Sequence, residues 1–208
     1  MTPPRKKKAA RLGSGPNPSI SGALVIMTVG HSTRSTEVFL ELLTSHSVKE
    51  VADVRTVPRS RRNPQFNRDV LPRTLKAAGI KYAHLAALGG LRHPRADSPN
   101  TAWRNASFRG YADYMQTPEF AAGLDKLLDL AKQAQVAIMC AEAVPWRCHR
   151  SLIADALLAH GVHVEHIMTA TRRDSHKITS WAVIEGDRVT YPGEATPQSQ
   201  RKLDFNEY

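Results

Sequence analysis

The chain has 208 residues, 41% of them apolar, and a formal net charge of +10. That is material for one medium domain with tails, and two full domains would be cramped. Two cysteines make no disulfide framework and point to a reducing compartment. No apolar run approaches the roughly 20 residues of a membrane span, and the opening MTPPRKKK leads into Gly, Pro and Ser rather than a signal-peptide core. A cytoplasmic protein with no membrane partner is the expectation.

Residues 1–22 are basic and poor in apolar side chains, which predicts a disordered tail. A single α/β domain is expected over 23–192, and a polar tail over 193–208. The core opens on the β-branched run 23–29, which reads as a strand buried on both faces. Ser35 can cap a helix through about His46, with Phe39, Leu40, Leu42 and Leu43 as its apolar side. A second strand is expected over 48–54. A helix capped by Asn67 follows to Ala78, with Pro72 able to delay its start and Gly79 ending it. A third strand covers 80–85.

Residues 86–110 read as a long irregular connection, a length that is often functional. Helices follow over about 108–116 and 118–134, a fourth strand over 136–141, a helix over 146–160 stopped by Gly161, and a fifth strand over 162–167. Residues 179–191 suggest a hairpin. Alternating strands and helices imply a mostly parallel sheet of about five strands with helices on both faces, plus the C-terminal hairpin. In such a fold, loops leaving the carboxyl ends of the strands form the binding crevice.

Each of the first four strands ends in polar residues. The first gives His31 and Ser32, and the second Asp53, Arg55 and Ser60. The third runs into the long connection with Asn105 and Arg109, and the fourth gives Cys140, Glu142, Arg147, Cys148, His149 and Arg150. Between residues 55 and 109 there are twelve Lys or Arg against Asp69 and Asp97 alone. A guanidinium fork binds oxyanions through paired hydrogen bonds, so this composition favours phosphates or carboxylates. Pro145 suits the first turn of a helix, whose N–H groups would favour an anion.

Glu142 near the mouth of a basic pocket is a candidate general acid or base, and Asp53 and His31 are candidates to orient substrate or water. Ser32, Arg55, Ser60, Asn105, Arg109, Arg147, His149 and Arg150 are the candidate substrate-binding residues. Each has an ordinary structural alternative: ion pairing, capping or loop hydrogen bonding.

Cys140 and Cys148 are candidate thiols. A cysteine closing a strand, then a loop, then an arginine near a helix start resembles cysteine-dependent phosphatases and rhodaneses. Against this, six residues separate Cys140 from Arg147 where the phosphatase loop has five. The loop also lacks glycine and carries a carboxylate. Cys140, Cys148, His149 and His31 are metal-ligand types and leave a metal as a further option, but no paired zinc-finger spacing appears, so no metal ligand is assigned and no cofactor is identified.

Taken together, Thr28-Val-Gly-His-Ser32, Asp53-Val-Arg55 with Pro58, the run from Ser60 to Asn67, Trp103 to Tyr111, and Cys140-Ala-Glu-Ala-Val-Pro-Trp-Arg-Cys-His-Arg150 resemble the family named "domain of unknown function 488". The resemblance covers about residues 27–170. It implies an α/β fold and a widespread bacterial family without a settled activity.

Function is expected to be hydrolysis or group transfer on a phosphate-bearing substrate, nucleotide or nucleic acid. Arg55, Arg147 and Arg150 would take the anionic oxygens. The competitors are a non-catalytic nucleic-acid-binding protein and chemistry at a thiol. No phosphate-loop or dinucleotide fingerprint is present.

Overall fold

A computed structural model describes residues 24–193. The basic and polar tails expected at the two ends lie outside these residues, apart from Gly193. Six strands form one sheet in the order β3-β2-β4-β1-β5-β6. The strands are β1 Val25–Gly30, β2 Glu50–Asp53, β3 Lys81–His84, β4 Val136–Cys140, β5 His163–Thr169 and β6 Arg172–Ser175. The first five are parallel, and β6 runs antiparallel to β5 at the edge. A separate two-stranded hairpin, β7 Val183–Glu185 with β8 Arg188–Thr190, lies near the C-terminal end of the described residues.

Alternate residues of each strand feed two apolar layers, as the period of a strand requires. Along β4, Ala137 and Met139 join Met27, Val29 and Val51 on one side, under α1 Thr36–Ser45 and α2 Leu71–Ala77. Val136, Ile138 and Cys140 join Ile26, Ala52 and Val164 on the other, under α3 Ala106–Tyr114, α4 Pro118–Gln133 and α5 Arg150–Ala159. The helices read as their sequences suggest. In α4, Thr117 caps the first turn, and Phe120, Leu124, Leu127 and Ala131 recur on one buried stripe. In α1, the Ser35 hydroxyl accepts from the Val38 N–H.

Three expectations need correction. Helix α2 starts at Leu71, because Asn67 closes a 3₁₀ turn over Pro64–Phe66 instead of capping the helix. The helix expected from residue 146 begins at Arg150; Pro145–Arg147 is a separate 3₁₀ turn, so no α-helical first turn carries Pro145. Strand β6 escaped notice because Arg172-Arg-Asp-Ser175 is polar throughout. A charged edge strand satisfies its open side with water and resists pairing with other chains.

The topology places the crevice. Connections from β1 and β2 lead to helices on one face, while β4 leads to α5 on the other. Strand β4 lies between β1 and β2, so the chain parts in opposite directions around its carboxyl end. Cys140 is the last residue of that strand and pairs in register with Gly30.

Candidate functional site

The loop after β4 is drawn tightly over the end of β1. A Cβ on Gly30 would lie 1.9 Å from the Glu142 carbonyl oxygen, so only glycine permits this approach. The Ser32 N–H continues the ladder to the Ala141 carbonyl, with Ser32 itself at φ 51. From beneath, the guanidinium of Arg150 donates to the carbonyls of Glu142 and Ala143 and to the Thr28 hydroxyl. Arg150 is almost wholly buried. It shapes the loop rather than facing a ligand.

Asp53, Arg55 and His31 form a second buried unit. Asp53 accepts from the Arg55 N–H and Nε at one oxygen, and from Arg55 Nη2 and the Tyr82 hydroxyl at the other. Arg55 also donates to the Phe66 carbonyl. His31 Nδ1 lies 2.8 Å from the Ser32 carbonyl, an acceptor only, so the ring proton sits on Nδ1. Its Nε2 therefore accepts from Arg55 Nη1 at 3.2 Å. Burial, with nearby Arg55 adding to it, pushes the His31 pKa down to about 4, and the neutral ring stacks on Phe66. His31 and Asp53, expected to orient substrate or water, thus have their polar atoms engaged by Arg55, the Ser32 carbonyl and the Tyr82 hydroxyl.

A cavity of about 340 Å³ opens at the carboxyl ends of β2 and β4. Arg55, Glu142 and Arg147 supply its charge, and Leu91, Phe108 and Tyr111 much of its apolar wall. Glu142 and Arg147 are exposed to solvent. Cys140, Cys148 and His149 also line this cavity.

His149 Nε2 lies 3.1 Å from the Val54 carbonyl, so that nitrogen carries the proton and donates it. Nδ1 is left with its lone pair toward Cys148 Sγ, 3.7 Å away. This is the arrangement of a nucleophile, a base, and a group that orients the base. Both cysteines are buried and free. A hydrogen bond from the Cys140 thiol pulls the Cys148 pKa down, and His149 and Arg150 add to the effect against burial. The same hydrogen bond, with burial, drives Cys140 up. Of the two, Cys148 is therefore the thiol readier to give up its proton, and the lone pair of His149 Nδ1 is placed to take it.

The remaining candidates fall elsewhere. Asn105 caps α3, its side chain accepting from the N–H groups of Ser107 and Phe108. Ser60 accepts from the Asn63 N–H in a turn closed by Asn67. Neither these two nor Ser32 and Arg109 are among the residues lining the cavity. The long connection contributes Gly90 and Leu91 to it. Asp113 holds that connection in place by accepting from the Arg95 N–H, Ser98 and Asn100, and Arg92 stacks over Tyr114.

One feature escaped the sequence reading. A hydrogen-bond chain runs from Arg150 through Thr28 to His166, then His176, and ends on fully buried Asp155. Its members are 10 to 138 residues apart, so only the wish of a buried polar group for a partner could have hinted at it. No helix among the described residues is long and apolar enough to cross a membrane.

No curated protein and no solved structure matches the chain. A family model, "Domain of unknown function DUF488", matches residues 35–157, from the cap of α1 into α5 and including Asp53, Arg55 and the whole Cys140–Arg150 segment. The chain that builds this cavity belongs to the DUF488 family.

Proposed function

We propose that the chain is a thiol-dependent enzyme that transfers or hydrolyses the phosphoryl group of a small phosphate-bearing substrate. The carrying observation is Cys148 Sγ beside His149 Nδ1, with the ring held by the Val54 carbonyl, at a cavity that also presents Arg55 and Arg147. The volume falls at the small end of ligand sites, about 300–1,000 Å³, and suits a phosphate with part of its leaving group.

In this reading His149 takes the proton of Cys148. The thiolate attacks phosphorus, a P–S bond forms, and the P–O bond to the leaving group breaks. His149 returns its proton to the leaving oxygen. Water, oriented by the Glu142 carboxylate on the cavity wall, then attacks phosphorus, the P–S bond breaks, and the water proton passes to His149. Arg147 and the remaining N–H of Arg55 Nη1 offset the charge on the equatorial oxygens. Glu142 orients water here, while the acid–base part expected of it falls to His149, and the nucleophile is Cys148 rather than Cys140, the cysteine that the loop comparison disfavours. Phosphatase-like spacing is not required, since the thiol is Cys148 and its base is the next residue.

The test is hydrolysis of p-nitrophenyl phosphate by the reduced, chelator-treated chain. Cys148→Ser lowers kcat by at least about 100-fold, and iodoacetamide labels Cys148 ahead of Cys140. Equal rates for Cys148→Ser and the parent chain would refute the thiol reading. Salt decides the competing one: a nucleic-acid-binding protein loses affinity for generic DNA or RNA steeply with ionic strength.

A further inference from the structure

The sulfurs of Cys140 and Cys148 and a ring nitrogen of His149 all lie within 4.8 Å of one another. Two sulfurs and an imidazole are a soft donor set, suited to a tetrahedral d¹⁰ ion and unsuited to magnesium or calcium. Zn–S bonds of about 2.3 Å and Zn–N bonds of about 2.1 Å at a tetrahedral angle place the two donors about 3.6 Å apart. Cys148 Sγ and His149 Nδ1 are 3.7 Å apart.

Imidazole orientation agrees as well. A ligating histidine characteristically donates its other ring N–H to a carbonyl or carboxylate, which fixes the tautomer. His149 donates from Nε2 to Val54, leaving Nδ1 aprotic toward the sulfur. Space around that nitrogen is kept by a glycine: a Cβ on Gly90 would come within 2.9 Å of Nδ1. Three protein donors leave a fourth position, and the cavity provides room for it.

We propose that Cys140, Cys148 and His149 bind one Zn²⁺ with its fourth position open to the cavity, and that this ion masks Cys148 as a nucleophile. The masking half rests on the thiol reading above; the metal site rests on the donor geometry alone. Binding is written as Zn²⁺ displacing the remaining thiol protons, with no change of oxidation state.

Cobalt(II) titrated into the reduced full chain is the probe. One equivalent is expected to give intense visible bands of tetrahedral cobalt and a thiolate-to-cobalt charge-transfer band, both erased by equimolar zinc. Outer-shell changes alone weaken such sites by about 10–100-fold, so Cys140→Ser and His149→Asn are expected to weaken binding by more than that. Independently of any variant, zinc protects both cysteines of the parent chain from iodoacetamide.

A weak octahedral spectrum, affinity unchanged in Cys140→Ser, or undiminished alkylation overturns the site. Cobalt binding with no hydrolysis of p-nitrophenyl phosphate in the chelated protein upholds the site and removes the thiol reading. Hydrolysis without metal binding does the reverse. Hydrolysis that persists or rises at one equivalent of zinc overturns the masking.

Discussion

At the scale of single residues, the type of a side chain and the state of its lone pairs are different things. Asp53, His31 and Arg55 are the residue types of an acid–base site, yet most of their polar atoms are taken up by one another and by neighbouring protein groups. The Asp53–Arg55 pair is buried, and breaking such a pair by removing one charge costs about 3–5 kcal/mol, because the other is left in the interior without compensation. Asp53→Asn is therefore expected to lower stability by that amount in urea denaturation. A loss below about 1 kcal/mol would mean that Arg55 finds another acceptor or reaches water. Glu142 and Arg147 are ordinary by type too, but the fold leaves them exposed at the cavity, and that exposure makes them available to a ligand.

Elements decide how close these side chains come. The loop after β4 can lie across β1 because Gly30 has no side chain, and the connection after β3 can press on His149 because Gly90 has none. These two glycines predict different failures. The Gly30 contact is with backbone, so Gly30→Ala forces the β1 end and the 141–143 loop apart, and a marked fall in thermal midpoint is expected. The Gly90 contact is with a ring that can rotate. Gly90→Ala is expected to fold normally but to slow alkylation of Cys148 several-fold, as the ring leaves its bond to Val54. Alkylation at the parental rate would show that the ring's position does not govern the thiol.

Element boundaries also mark the limits of pattern reading. Strands β1 and β4 are apolar runs buried on both faces and stand out. Strand β6 does not, since an edge strand of Arg172, Arg173, Asp174 and Ser175 has the composition of a loop. Pattern reading puts the start of α5 too early because Pro145 opens a 3₁₀ turn as readily as an α-helix.

Across the whole molecule, buried neutral histidines tie folding to pH. Burial lowers both His31 and His166 to a pKa of about 4, below the ordinary 6.5. The unfolded chain then binds more protons between about pH 4 and 6.5. Stability from these groups is complete above about pH 6.5 and is lost as pH falls toward 4, by at most about 3 kcal/mol per histidine. Urea midpoints are expected to drop across this window and to drop less steeply in His166→Asn. A flat profile would place both rings in contact with water.

Chain order and residue type alone determined that this protein is a parallel α/β sheet, that its polar clusters end the strands, and that arginine is abundant near them. Periodicity and strand–helix alternation are local properties, and the crossover rule turns them into an address. Which clusters carry free chemistry was decided only in three dimensions. Cys140, Cys148 and His149 have no telling spacing along the chain; a strand end, a 3₁₀ turn and the Val54 carbonyl just past β2 bring their sulfur and nitrogen atoms together. Hydrogen bonding and coordination act over a few ångströms, and sequence separation carries no record of which lone pairs the folded chain has already used.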